Sequence, residues 1–483
     1  MQPAIDDSVS PRTLHSLLQH SRNTPYQGRS KLMRWNGSCL ITHQMRLHSA
    51  FGPSEAALTM PLLEGRTSGP PGRIRTMKNV RSGVGYADTS DSREAGRRAA
   101  EKAMTNGSLR RSDFTMAFCG GNHDPIAFLD AVREVVGDSA LIGGTSVGVI
   151  TNERASYGGY EAGVATVESD NVRFRAMAVG ELDSGEEQAG EKLGRMVSDM
   201  DDEDARAILL FYDSIKKSQP LTVNLASQLI KGVERALPQG HAPVLGAGLM
   251  KDYQWNTAHV FADTSAVTQH AVGVVVSGDC NVHHAISHGC QPASDYHTIT
   301  DIQGPVVREL DGRPALNVIE DIIGPGAAKD WQQYSLLVTL GANRGTDPYG
   351  DFNEKEYMNR LIAAANPDDG SVVLFESDFG PGEQVQIMRR SNEHMLSSAR
   401  KVSEDLLSEM DGEDPFLGIY IDCAGRTSGF CGAGEEEGAI VQETIGSRMP
   451  LLGVYSGVEI APFLGGSRAL DWTGVLIVLS ENA

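Results

Sequence analysis

Phe114-Thr115-Met116-Ala117-Phe118-Cys119-Gly120-Gly121-Asn122-His123-Asp124-Pro125 opens the unit that decides the fold. Phe114 to Phe118 is an apolar run of strand length, and the polar stretch after it reads as a loop. From Ile126 to Val136, the residues Ile126, Leu129, Val132, Arg133 and Val136 recur at three- and four-residue spacings, which predicts a helix. Ala140-Leu141-Ile142-Gly143-Gly144-Thr145-Ser146-Val147-Gly148 closes the unit with a second apolar run and a glycine turn. The order strand, loop, helix, strand then recurs twice. The second copy has strand Ala207–Tyr212, loop Asp213–Pro220, a helix from near Leu221 with Leu225, Leu229 and Val233 on one face, and Pro243-Val244-Leu245-Gly246-Ala247-Gly248. The third has strand Phe416–Ile421, loop Asp422–Gly429, a helix through Ile440, Val441 and Ile445, and Pro450-Leu451-Leu452-Gly453-Val454-Tyr455-Ser456-Gly457. A further strand follows each copy: Ala162–Val167, Val272–Ser277 and Thr473–Val478. The copies are long and unevenly spaced, which excludes a solenoid and fits duplication of an α/β unit.

Working outward, the expected fold is α/β: repeated strand-loop-helix-strand units in mixed sheets, in two domains of residues 77–310 and 311–483. A linker is expected near Asp311–Ala328, where Arg313-Pro314-Ala315-Leu316 opens a short helix. A hairpin is expected from Ser371–Phe375 across Phe379–Glu383 to Gln384–Met388. Residues 1–76 are rich in Arg, Ser and Pro without a sustained period, and read as a disordered tail or an over-long start before Met77.

The formal charge of −21 over 483 residues argues against a nucleic-acid protein, which would show a basic stripe. An acidic body also repels anionic lipid surfaces. No run reaches the roughly 18 apolar residues of a membrane helix, and the first thirty residues lack an apolar signal core. Six cysteines without a Cys-x-x-Cys pair are not a disulfide framework. A cytoplasmic address is the simplest expectation.

Strand ends that feed loops and helices form a crevice, the usual ligand site of open α/β sheets. Helix N-termini there suit anions. Gly83-Val84-Gly85 lacks the rest of a dinucleotide fingerprint, and neither a phosphate-binding Gly-Lys-Ser/Thr loop nor a Gly-x-Ser-x-Gly elbow occurs. Three clusters carry chemistry. In Asn122-His123-Asp124, the His can serve as a general base, or Asp124 can simply cap the next helix ahead of Pro125. Between Cys280 and Cys290, His284 and His288 fall on one face if the stretch is a strand, as metal or haem ligands or as solvent-facing polar residues. In Asp422-Cys423-Ala424-Gly425-Arg426, with Tyr455-Ser456-Gly457-Val458-Glu459, Arg426 can clamp a carboxylate or phosphate and lower the thiol pKa of Cys423. The other reading is a structural Cys beside an Arg–Glu pair.

The ending Pro450–Pro462 with Trp472-Thr473-Gly474 behind it, together with Cys423-Ala424-Gly425-Arg426, resembles the C-terminal domain of the FIST family. His288-Gly289-Cys290-Gln291-Pro292 and Glu309–Leu316 resemble the junction of its two domains, and Gly143-Gly144-Thr145-Ser146 resembles its N-terminal domain. The resemblance runs from about Val80 to the end. It implies a sensory protein that binds a small ligand, an amino acid or another small metabolite, and passes the signal to a separate partner such as a histidine kinase or a cyclic-di-nucleotide enzyme. The ligand-binding residues expected on this basis are Asn122, His123, Gly144, Thr145, Ser146, Cys290, Cys423, Arg426, Tyr455, Ser456 and Glu459. The alternatives are a haem-based nitric oxide sensor using His284 and His288, or an enzyme using Cys423 or Cys290. Unlike eukaryotic members of the family, the chain shows no F-box-like leucine pattern in residues 1–76.

Overall fold

A computed structural model describes residues 79–326, 331–347 and 350–481. The reading of residues 1–76 falls outside these.

The first unit runs β1 (Val80–Asp88), α1 (Ser92–Asn106), β2 (Phe114–Gly120), α2 (Pro125–Val136), β3 (Ala140–Ser146) and β4 (Glu161–Ser169). Its strands lie in the order β1-β4-β2-β3, with β2 and β3 parallel and the other pairs antiparallel. The second unit repeats this plan. It comprises β5 (Val172–Val179), α3 (Glu186–Ser198), β6 (Ala205–Asp213), α4 (Ala226–Ala236), β7 (Val244–Leu249) and β8 (Ala271–Gly278), in the order β5-β8-β6-β7. The third comprises β9 (Asn281–Ser287), α5 (Asn392–Glu409), β10 (Asp414–Cys423), α6 (Glu437–Ile445), β11 (Leu451–Phe463) and β12 (Gly474–Glu481), in the order β9-β12-β10-β11. The α/β repeat expected from sequence is therefore present three times. Each copy is larger than the residues suggested, with an additional leading strand and helix.

Register makes the equivalence concrete. Gly143 lies opposite Ala117, Gly246 opposite Leu210, and Gly453 opposite Tyr420. A Cβ on Gly143 would stand 1.8 Å from the Ala117 carbonyl oxygen, on Gly246 1.7 Å from that of Leu210, and on Gly453 2.4 Å from that of Tyr420. These glycines were expected in closing turns. They sit inside strands instead, where a close backbone approach demands the missing side chain.

The helices of each unit pack as a pair on one face of its sheet. In the first unit, Ala95, Ala99 and Ala103 of α1 and Phe128, Leu129 and Val132 of α2 are buried there. Asp124 caps α2 by accepting from the Ile126 and Ala127 N–H groups at 2.9 and 3.1 Å. The opposite sheet faces pool into one core containing Met116 and Phe118, Leu209 and Phe211, and Ile419 and Ile477. Phe118 meets Phe211 edge-on at 5.3 Å across the first and second units. Each third strand also reaches a neighbouring unit. β7 pairs with β11, β11 pairs with Val149–Thr151, and β3 pairs with Val260–Ala262 at Gly144.

Three expectations change. The loop after β6 is a small hairpin, Ile215–Ser218 with Leu221–Val223, so α4 starts at Ala226 rather than near Leu221. The helix opened by Ala315 is present, but Val306–Leu310 and Arg313–Pro314 pair with each other, so this stretch is built into a sheet rather than linking two bodies. Val372–Leu374 pairs with Val306–Val307 and with Ile362–Ala365, not with Gln384–Arg390, so the expected hairpin does not form.

These strands belong to an insertion between β9 and α5. His297–Gln303, Val306–Leu310, Val372–Leu374, Tyr357–Ala365, Val338–Asn343 and Gln384–Arg390 pair in that order, and the last pairs back to the first to close a barrel. It has its own core around Ile299, Leu340, Ile362 and Ile387.

Candidate functional site

The expected site residues fall into two places. Those of the first unit are joints. Asn122 is exposed and its N–H donates to the Gly159 carbonyl. His123 is buried, with Nδ1 3.1 Å from Ser92 Oγ and Nε2 2.9 Å from the Tyr160 carbonyl, and burial holds its pKa below the usual range. Gly144 packs against the His259 carbonyl, and Thr145 exchanges two hydrogen bonds with His259, its N–H donating to the carbonyl and its hydroxyl accepting from the N–H. Ser146 Oγ donates to the Gly148 carbonyl. Of these contacts, those of Gly144 and Thr145 with His259 fasten the first unit to the second, and the others tie the first unit to itself.

The residues from the third unit do converge, at the carboxyl ends of β10 and β11. Parallel pairing sets Asp422 beside Tyr455 and Cys423 beside Ser456. Arg426 follows in a short turn and is wholly buried. Its Nε donates to Glu437 Oε2 at 2.7 Å, and its Nη2 to Glu437 Oε1. Its Nη1 donates to the carbonyls of His288 and Trp472 at 3.0 and 2.5 Å. Tyr420 Oη donates to Glu437 Oε1 at 2.8 Å. The Arg426 fork is therefore taken by an internal carboxylate, the arrangement in which planar bidentate pairing is strongest.

Glu459 is equally enclosed. It accepts from Ser456 Oγ at 2.7 Å and from the Thr473 hydroxyl at 2.8 Å, and burial pushes its pKa up to about 8. Asp422 differs. It has no exposed surface, its Oδ1 lies 3.5 Å from Arg426 Nε, and neither oxygen has a hydrogen-bond partner among the described residues. Burial first, then Glu437, pushes its pKa well up. Toward solvent, Tyr157 Oη donates to Glu436 Oε1 at 2.5 Å, Ser428 also donates to Glu436, and Tyr157 meets the ring of Tyr455 edge-on at 5.7 Å. Tyr253 Oη is 2.7 Å from Thr427 Oγ1, and its ring stacks on the exposed Phe430 at 5.5 Å.

Glu437, Glu436, Tyr157 and Tyr253 were not singled out from the sequence. Glu437 lies in Glu435-Glu436-Glu437, a charge run that reads as a solvated face, yet it is fully buried. The signal that could have found it is the buried guanidinium, since an enclosed Arg needs an enclosed acid.

The thiol expectation is corrected. Burial, then Glu459, pushes the Cys423 pKa well above its ordinary value, and the smaller opposing pull of Arg426 does not offset them. Burial likewise pushes Cys290 up to about 11. Neither has the lowered pKa of an activated nucleophile.

His284 and His288 are also corrected. Four residues apart on an extended chain is ~13 Å, too far to share one ion. Both ring nitrogens of His288 are engaged. Its Nδ1 accepts from the Cys290 N–H at 2.9 Å, and its Nε2 donates to the Glu354 carbonyl at 3.0 Å. His284 Nε2 lies 3.2 Å from the Pro462 carbonyl in a cleft of about 140 Å³, too small for a porphyrin. These residues do not fit haem. Among the described residues no group of three or more His, Cys, Asp or Glu side chains is placed to hold a metal ion.

With this geometry in view, the FIST N domain profile matches residues 113–313 and the FIST C domain profile matches residues 315–462. The chain belongs to the FIST family. FIST domains are known as sensory modules. The seam between the two matches falls inside the inserted barrel, and the FIST C match holds Asp422, Arg426, Glu437, Tyr455 and Glu459. An uncharacterised Mycobacterium tuberculosis protein is 26% identical over 225 residues, 46% of this chain and 57% of its own length. The chain thus spans little more than half of that relative. An uncharacterised Mycobacterium bovis protein is 24% identical over 416 residues, 83% of this chain and 100% of its own length. A solved chorismatase covers 84% of this chain and 100% of its own at 10% identity and a TM-score of 0.30, too low to bear on function. No described helix is long and apolar enough to cross a membrane.

Proposed function

We propose that this FIST protein senses a small metabolite bearing a protonated amine, bound beside Asp422 in the third unit, and passes the signal to a separate signalling protein. The observation that carries this reading is Asp422, a buried carboxylate without a donor among the described residues. Glu436, Glu437 and Glu459 surround Asp422 together with Arg426, whose fork is held by Glu437. A protonated amine brought beside Asp422 would draw its carboxyl into the charged form, since an opposite charge within a few ångströms favours ionisation, so the site favours a cationic group over an anion. The rings of Tyr157, Tyr455, Tyr253 and Phe430 add faces that attract ammonium. A ligand reaching Asp422 would displace the half-exposed Tyr157, Ser428 and Glu436.

Scanning fluorimetry with amino acids, diamines and simple carboxylates tests this. Ligands that bind only the folded state raise the melting temperature with concentration. Amine-bearing compounds are expected to do so, and the shift is expected to vanish in Asp422→Asn, which keeps the shape but not the charge. A panel of amines that leaves the melt unmoved, or a shift that survives Asp422→Asn, overturns the assignment.

A further inference from the structure

A second cleft lies away from these residues, where the first unit meets the third. One wall is Val84 and Tyr86 of β1, with Asn106 ending α1. The other is the Gly446–Pro450 turn between α6 and β11, and Asn152 and Glu153 complete it. Its volume is about 370 Å³, within the range of small-molecule sites. The walls are held by hydrogen bonds. Asn152 Nδ2 donates to the Gly446 and Met449 carbonyls at 2.8 and 2.9 Å, and its Oδ1 accepts from the Leu451 N–H at 2.8 Å. Asn106 Nδ2 donates to the Val84 carbonyl at 2.8 Å. The cleft is thus pre-formed rather than a gap between loose loops.

Its chemistry is lopsided. Val84, Met449, Pro450 and the Tyr86 ring supply apolar surface, and burial raises the Tyr86 pKa, so the phenol stays neutral. Of the two charged residues, Glu153 is paired with Lys102 at 3.3 Å. Arg448 is exposed, and its guanidinium has no acid partner among the described residues. A cleft lined by apolar and polar side chains together, with a free guanidinium at its edge, suits a compact molecule with an apolar body ending in one carboxylate, which an arginine fork grips in bidentate fashion.

We infer that this cleft is a binding site for small monocarboxylates with an apolar body, separate from the Asp422 site. The turn that forms its wall runs straight into β11, the strand that carries Tyr455, Ser456 and Glu459.

Ligand-observed NMR with benzoate and phenylacetate, and with their neutral amides as controls, tests the site on the full chain. The acids are expected to show saturation transfer, and the amides to bind about tenfold more weakly or worse. Arg448→Glu is expected to abolish acid binding, as is Ser447→Trp, which places a bulky ring at the rim. Both residues are exposed, so folding is not at stake. Asp422→Asn is expected to leave acid binding unchanged, which separates this site from the other. Absence of transfer from either acid, equal binding of acids and amides, or undiminished transfer in Arg448→Glu each overturns the inference.

Discussion

Arg426 and Glu437 have no exposed surface, and each is the other's main hydrogen-bond partner. Removing one member of such a pair strands the other, at a cost of about 3–5 kcal/mol. Arg426→Ala is therefore expected to lower unfolding free energy by that order, read from urea melts, because Glu437 and Asp422 lose their countercharge. Replacing Arg426 and Glu437 together by Met and Leu is expected to cost much less. Glu459 offers a pH signature. Its folded pKa of about 8 lies above its ordinary value near 4.5, so the folded state keeps a proton that the unfolded state releases. Stability from this group is full below the unfolded value and is lost as pH rises through about 8. The melting temperature of Glu459→Gln is expected to fall less than that of the wild type across this window, and parallel curves would show that Glu459 does not titrate there. The sequence did point to Cys423, Arg426, Tyr455, Ser456 and Glu459, since repeat logic placed their strands side by side. It could not show that Arg426 is already occupied, because burial of Glu437 is a property of packing. Burial of Cys423, and Glu459 beside it, are why the expected thiol activation fails.

At the level of elements, the glycine of each third strand is the clearest constraint. Gly246 has a φ of +154° and no room for a side chain beside the Leu210 carbonyl. Gly273, in β8 on the other side of β6, would bring a Cβ no nearer than 3.3 Å to a carbonyl oxygen. Gly246→Ala is expected to cost roughly 3 kcal/mol or more through forced separation of β6 and β7, whereas Gly273→Ala stays within about 1 kcal/mol. Thermal melts of the two variants check the contrast, and equal losses would refute the close-approach explanation. The β2-to-α2 stretch was legible because apolar runs, Asp124 and Pro125 announce a strand end and a capped helix. β1 and α1 were not. Val80–Asp88 carries two glycines and an arginine rather than an alternating pattern, and α1 buries an alanine face too weakly apolar to stand out. The closing glycines read as turns because glycine is a strong punctuator of turns, as in Gly143-Gly144, and only the pairing partner reveals the close approach.

Across the whole molecule, the third unit is interrupted. β9 ends at Ser287 and α5 begins at Asn392, so strands that share a sheet are far apart in sequence, and local patterns cannot join them. This is why the third copy looked shorter than it is. The inserted barrel must then be tied to the units by specific contacts, and these are charged. At one root, Glu354 Oε1 accepts from the His288 and Gly289 N–H groups at 2.6 and 2.9 Å and from Ser398 Oγ of α5 at 2.7 Å. The His288 carbonyl is in turn held by Arg426, so the barrel and the Asp422 site share a backbone group. On another side, Arg360 of the barrel is fully buried, paired with Asp378 and donating to the Ala469 carbonyl at 3.1 Å. Close by, Glu376 caps a helix of a different unit. Its two oxygens accept from the Ala226 and Ser227 N–H groups of α4, each at 3.1 Å. An acid at a helix N-terminus satisfies orphan donors and meets the positive end of the dipole. Because α4 has no cap of its own from Leu225, the barrel supplies it. Glu376→Ala is expected to destabilise the chain by about 1–2 kcal/mol. It is also expected to speed amide hydrogen exchange in the first turn of α4, while α2, capped by its own Asp124, exchanges as before. Unchanged exchange at Ala226–Leu229 would mean that the barrel rests on the second unit through packing alone. Faster exchange confined to that turn would identify the Glu376 contact as the clamp that holds the second unit to the barrel.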